Sequence, residues 1–314
     1  MRADMDAGDL EQRLAASRDN EDWAMQLATF FAAHDLSYGH GTTNAYDEAY
    51  WLLRHLQAWD DVRWDAPADP GLAAAAAALA ARRVDERRPL AYLLNEAWFA
   101  GLSYFVDERV LVPRSPMAEL IERRFEPWIE LRAGDRVLDV GTGSGCLAVA
   151  TALHCPGVVV DATDVSAPAL AIAAVNVARH GVADRVHLHC ADLFPGAALR
   201  YRVMIANPPY VPDSEYSGLP PEYLHEPRIG LVGGRDGIEL AAKLVTAAAR
   251  HLTPDGALFL EVGRGADVLT ARFPRLGLTW LELERGGEGV CFVTAQDLAQ
   301  GAARADGGAD LTDA

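Results

Sequence analysis

The sequence predicts an α/β fold. It reads as a seven-stranded, mostly parallel, Rossmann-like sheet with an antiparallel last strand, preceded by a small helical domain and a β-hairpin connector. Three observations carry this. From residue 117 onward, β-prone runs alternate with helical segments, the pattern of a parallel sheet covered on both faces. One apolar run breaks directly into glycines, "RVLDVGTGSG". The first 96 residues have apolar spacing of helical period and no glycine loop of this kind.

The elements follow in chain order. Residues 1–96 form the helical domain, where "DWAMQLATFFAAH" and "AYDEAYWLLRHLQAW" repeat apolar positions at helical spacing, and Asp69-Pro70 opens an alanine-rich helix. Residues 97–116 form the connector: "SYFV" and "RVLVP" are its two expected strands, closed by Pro113 and Pro116. Residues 117–297 hold the sheet, with strands expected near 136–141, 158–164, 186–191, 202–207, 256–262, 278–283 and 289–294. Helices fit near 144–153, 166–180, 237–252 and 264–273. The last two strands are joined only by "ERGGEG", too short for a crossover, so they must run antiparallel. The small, polar and acidic end, residues 298–314, is expected to be disordered.

Charge narrows the partners. A net charge of −17 disfavours bare nucleic acid as a ligand and favours a basic protein. The four cysteines have neither disulfide nor ligand spacing, so they read as buried small side chains in a reducing compartment. The N-terminus lacks an apolar signal core, and no apolar run is long enough to span a bilayer. A soluble cytoplasmic protein is expected. The nine histidines show no metal spacing, and no metal is assigned.

The glycine loop Gly141-Thr142-Gly143-Ser144-Gly145 follows G-x-G-x-G. The third glycine of the dinucleotide fingerprint would fall on Cys146, so a pyrophosphate site is the poorer match. The loop still lets a ligand approach backbone N–H groups at a helix start. Three aspartates end successive strands: Asp139, Asp164 and Asp192. Each alone also reads as a helix N-cap. Together, at the carboxyl ends of a parallel sheet, they offer an acceptor for an ammonium, for ribose hydroxyls and for an adenine amino group. S-adenosylmethionine carries these groups and no phosphate.

"VMIANPPYVP" ends the fourth strand. Pro208 and Pro209 cannot donate to a ladder, so the strand stops there. Asn207 contributes a side-chain oxygen, and the Pro208 carbonyl is restricted because Pro209 follows it. Two fixed acceptors suit a substrate NH2 group, and Tyr210 offers a flat face to a planar one.

"NPPY" after "VLDVGTGSG" resembles the class I amino methyltransferases that act on planar NH2 groups. With "SYFVDERVLVPRSPMAEL" before the loop and "HEPRIGLVGGRDGIEL" after NPPY, the order is similar to that of the protein glutamine-amide N-methyltransferases of translation proteins. The likeness covers residues 90 to 295 well. The release-factor branch typically shows "PRPxTE" where this chain has "PRSPMAE", and "VLVPRSPxxELI" is similar to the branch acting on large-subunit ribosomal protein L-three. The resemblance implies a basic ribosomal protein as substrate, free or in the assembling large subunit. It implies that Asn207 and Pro208 hold a glutamine amide and that Tyr210 and Phe99 flank it, with Pro209 completing the exit. It also implies that Asp139, Gly141, Asp164 and Asn207 line the cofactor. An adenine amino-methyltransferase, a release-factor methyltransferase and a binding module without turnover are the alternatives.

Overall fold

A computed structural model describes residues 5–58, 63–196 and 198–306. The chain forms two compact units. The first comprises the residues up to Ala97 together with Val106–Glu108 and Leu219–Glu226, and the second holds the rest. The described residues contain no helix long and apolar enough to cross a membrane.

The first unit is helical. Its main helices are Ala7–Ala15, Asn20–Ala32, Ala45–Gln57 and Ala73–Asp85. Asp6, Asp19 and Asn44 start the first three by accepting backbone N–H bonds, so each boundary is written in the sequence. Asp69 caps a short 3-10 turn, Pro70–Leu72, that leads into the alanine-rich helix. Leu10, Trp23, Leu27, Phe31 and Leu52 form the buried interior. Within it lies an ion cluster. Arg83 is 1% exposed and donates through Nε to Glu48 at 2.6 Å and through Nη1 to Glu222 at 3.3 Å. Glu222 also accepts from Arg87 Nε at 2.8 Å and from the Ser37 N–H at 3.0 Å. Thus the segment that follows NPPY contributes a buried carboxylate to the helical unit.

The second unit carries a hairpin of β1 (Ala97–Phe99) and β2 (Leu102–Tyr104), and a seven-stranded sheet. The sheet strands are β3 (Arg136–Val140), β4 (Val159–Asp164), β5 (Val186–Cys190), β6 (Tyr201–Ala206), β7 (Leu252–Glu261), β8 (Thr279–Trp280) and β9 (Val290–Thr294). Their order is β5-β4-β3-β6-β7-β9-β8. β3 pairs parallel with both β4 and β6, and β9 runs antiparallel to β7 and to β8. The order reverses between β3 and β6, which is where an open α/β sheet binds ligands. Apolar residues of β3, β6, β7 and β9 pack against the helix Glu239–Ala248 around Leu138, Met204, Leu244, Leu258 and Val293.

Three expectations need correction. The hairpin lies earlier than "SYFV" and "RVLVP" imply. Ala100 and Gly101 both have positive φ, 48° and 74°, as a two-residue hairpin turn requires, so the strands are 97–99 and 102–104. Residues 109–113 form no strand, although Val110 and Val112 are buried. The tail is not disordered from residue 298. A helix runs from Ala295 to Asp306, and Leu298 packs into the core because apolar spacing continues past β9. Residues 307–314, the rest of that expectation, lie outside the described residues. Of the four cysteines, Cys190 is exposed, since β5 is an edge strand.

Candidate active site

The cleft opens at the carboxyl ends of β3, β4, β5 and β6, all within the second unit. Gly141 to Ser144 form its floor, with Asp164, Asp192, Asn207, Pro209 and the 109–115 segment around it. β3 ends where Gly141 turns to φ 73°; Gly143 and Gly145 follow at 54° and 80°, conformations that favour glycine. A side chain at Gly141 or Gly143 would meet nothing within 4 Å, so that backbone faces open space. At Gly145 a Cβ would come within 3.2 Å of Ala173, so this glycine lets the helix starting at Cys146 pack closely on a neighbouring helix.

Asp139 lies fully buried beneath the loop. Its Oδ2 accepts from the Thr142 hydroxyl at 2.6 Å and from the Ala148 N–H at 3.1 Å, while Oδ1 is buried without a hydrogen-bond partner. Burial pushes its carboxyl up to about 7, against the pull of these two bonds. Such an orphaned oxygen is costly unless a ligand completes it. Asp164 braces the loop from β4: Oδ2 accepts from the Gly143 N–H at 2.9 Å and Oδ1 from the Ser166 N–H at 2.8 Å. The N-cap of the next helix is Ser166, not Asp164, so capping does not account for this aspartate. Both Asp164 oxygens keep lone pairs available to the cleft. Asp192 is exposed at the rim.

β6 stops at Asn207, and Pro208 is buried. Beyond it the exit pairs with a second backbone segment: the Val211 N–H donates to Leu231 at 2.8 Å, and the Gly233 N–H donates back to Val211 at 2.9 Å. A Cβ at Gly233 would collide with the Pro209 carbonyl, so the glycine allows this close approach. Gly233-Gly234 therefore clamps the strand exit. Tyr210 is partly buried, and its hydroxyl donates to Glu261 Oε1 at 3.4 Å. Arg114 lines the cleft and donates to the Val112 carbonyl at 3.3 Å. His189 bonds Asp161 at 2.8 Å, a strand-face contact away from the cleft.

The structure thus brings Gly141, Thr142, Gly143, Asp164, Asp192, Asn207 and Pro209 to one cleft, with Asp139 beneath it. Pro208, Tyr210, Gly145 and Phe99 are not among the residues that line the cleft. Phe99 is 5% exposed and packs edge-on against Tyr104 inside the hairpin, because the turn at Ala100 points this strand into the unit's interior. Sequence reading missed Glu261, which ends β7 in "LFLEVG" by the same strand-end signal that marked the three aspartates.

Residues 125–218 match the methyltransferase small domain. The chain is 43% identical over 271 residues to the ribosomal protein uL3 glutamine methyltransferase of Bordetella pertussis, covering 84% of this chain and 90% of that protein. It is 44% identical over 281 residues to the protein of the same name from Xanthomonas campestris pv. campestris, covering 86% and 89%. A crystal structure of a methyltransferase from Pyrococcus furiosus aligns with 62% of this chain and 89% of that one, at 21% identity and a TM-score of 0.46. With 43% and 44% identity over most of both chains, this chain belongs to the ribosomal protein uL3 glutamine methyltransferases.

Proposed function

We propose that this chain transfers a methyl group from S-adenosylmethionine to the side-chain amide nitrogen of a glutamine in ribosomal protein uL3. The observation that carries the reading is the placement of Asn207 and Pro209 beside the glycine loop, at the point where the strand order reverses. The residues present fit the cofactor. The open glycine backbone, the unpartnered Asp139 oxygen and the remaining lone pairs of Asp164 complement its carboxylate end, ammonium and ribose. When bound, the cofactor supplies an electrophilic methyl on sulfur. Asp139 and Gly141 to Gly145 would hold its amino-acid end, Asp164 its ribose and Asp192 its adenine edge.

The chain's own residues then act on the amide. Its nitrogen lone pair is delocalised and weakly nucleophilic. Two acceptors, the Asn207 oxygen and the Pro208 carbonyl, grip both N–H bonds, favour a pyramidal nitrogen and aim its lone pair. Once methylated, the amide nitrogen would be acidic and would lose its proton to water, so the site needs no strong base. Orientation of this kind contributes on the order of 7–11 kcal/mol to barrier reduction. The acidic surface complements a basic substrate and steers its approach.

The test is single-turnover methyl transfer to purified uL3, with cofactor affinity measured separately. Asn207→Ala is expected to lose most of the transfer, by far more than any loss of cofactor affinity explains, with the fold intact. Asn207→Asp should bind cofactor and methylate slowly, because a tighter ground state for a positive ligand does not raise the rate. Transfer by Asn207→Ala at the wild-type rate would sink this account of the exit.

A further inference from the structure

β7 ends in Glu261-Val262-Gly263, and all three of these positions are built around Tyr210 or its support. Glu261 is 4% exposed. Its Oε1 accepts from the Tyr210 hydroxyl at 3.4 Å, and its Oε2 accepts from the Ser115 hydroxyl at 2.5 Å. Ser115 Oγ itself accepts from the Met117 N–H at 3.2 Å, so its one proton is committed to Glu261. The carboxylate is thereby fixed from one side and holds the tyrosine from the other. Gly263 stands against the ring: a Cβ there would lie 2.8 Å from Tyr210 Cε2 and 3.1 Å from Cζ. The Gly263 backbone is backed in turn by Gly289, whose carbonyl accepts from the Val262 N–H at 2.7 Å. A Cβ at Gly289 would collide with Gly263. Both the hydroxyl and one side of the ring are therefore constrained.

We propose that Glu261 is a positioning residue for methyl transfer, setting the plane of the Tyr210 ring together with Gly263. The proposal rests on the reading of Tyr210 as the flat flank of the substrate amide. A planar amide lying on this ring inherits its tilt, and tilt decides where the nitrogen lone pair points. Ser115 and Glu261 thus connect the segment before the glycine loop to the NPPY exit through two hydrogen bonds. Glu261 itself touches neither substrate nor cofactor, and acts through Tyr210.

The test measures single-turnover transfer to purified uL3 alongside calorimetric affinity for S-adenosylmethionine. Glu261→Ala is expected to slow transfer by about 100-fold, the cost of a misplaced reacting group, with cofactor affinity unchanged. Glu261→Gln, whose one amide oxygen still accepts from the Tyr210 hydroxyl while its NH2 group can only donate toward Ser115, should restore the rate to within about tenfold of wild type. In a Tyr210→Phe background, where the hydroxyl link is gone, Glu261→Ala should add less than about threefold. An equal loss with and without the Tyr210 hydroxyl would overturn the proposal, as would a rate for Glu261→Ala within about twofold of wild type. Gly263→Ala decides the matter if Glu261→Ala does not fold. Its methyl group presses on the ring without touching the carboxylate, so a slowing of about tenfold is expected, and an unchanged rate would overturn the proposal. Tyr210→Ala keeps the underlying reading separate: full activity in that variant removes Tyr210 from the site, whereas a slow Tyr210→Ala with a fast Glu261→Ala removes Glu261 alone.

Discussion

Glu222 in the helical unit and Glu261 at the end of β7 are both buried carboxylates, and they are shifted in opposite directions. Burial raises both. At Glu222 it is outweighed by the hydrogen bonds from Arg87 and the Ser37 N–H and by the charge of Arg83, and the carboxyl is held below the usual range. At Glu261 burial dominates over the Ser115 hydroxyl, the nearby Arg114 and the Tyr210 hydroxyl, and the carboxyl rises to about 7. Asp139 resembles Glu261. Glu48 lies between the two cases: it shares the ion cluster, but burial exceeds the effect of its single arginine, and it is raised. The number of charged donors separates them. Where a carboxylate only holds structure, the fold surrounds it with cations. At the strand ends, hydroxyl and backbone partners leave it incompletely satisfied and responsive to a ligand or a neighbour.

Breaking the ion cluster should have the largest effect on stability. Arg83→Met fills similar space but leaves Glu48 uncompensated and Glu222 with Arg87 alone. A loss of about 3–5 kcal/mol is expected, as for a buried pair with one partner removed. Guanidinium denaturation would give the magnitude, with hydrogen exchange in Ala45–Gln57 and Ala73–Asp85 locating it. A loss below about 1 kcal/mol, the size of a surface pair, would mean that the cluster is effectively solvated.

Asp164→Ala should have an intermediate effect, expressed in ligand affinity. Removing an acceptor of cofactor hydroxyls costs roughly 1.5–3 kcal/mol. The Gly143 N–H also loses its partner, so part of this loss comes from a looser loop. Calorimetry reads the sum, and Asp164→Asn, which keeps an acceptor for one of these bonds, should recover part of it. Equal affinity of Asp164→Ala and wild type would exclude this carboxylate from the cofactor site.

A pH slope sharpens the comparison. Asp139 and Glu261 have raised folded-state values of about 7 against ordinary values near 4. The folded protein therefore holds protons that the unfolded chain has released between about pH 4 and pH 7. Stability must fall as pH rises through that window and level off above it, at on the order of 1 kcal/mol per pH unit for each carboxyl. Glu261→Gln and Asp139→Asn should each flatten the fall. Glu222→Gln should not, because its carboxyl is lowered rather than raised. Thermal melts from about pH 5 to pH 8 check this, and a slope unaffected by either strand-end variant would contradict the assignment.

The sheet and most of the cleft were legible because they depend on local chemistry. Apolar runs in β3 and β6 mark buried parallel strands, glycines at Gly141 to Gly145 mark a turn with positive φ, and prolines at 208 and 209 mark a strand end. Acids at strand ends follow from the rule that ligands bind at that edge. Phe99, Glu261 and the ion cluster were not legible. Whether Phe99 faces a cleft depends on a two-residue turn at Ala100-Gly101, which shifts each strand's register and so the face each side chain takes. Glu261 becomes a partner of Tyr210 only because the exit of β6 lies beside the end of β7. Arg83 and Glu222 are separated by 139 residues, and no local pattern relates them. By itself the sequence determined the strands, their breaks and the acceptors at their ends, because backbone conformation and side-chain chemistry are local. Only the tertiary structure decided which of the buried carboxylates are neutralised and which are left responsive, because desolvation and pairing depend on groups that folding brings together from distant parts of the chain.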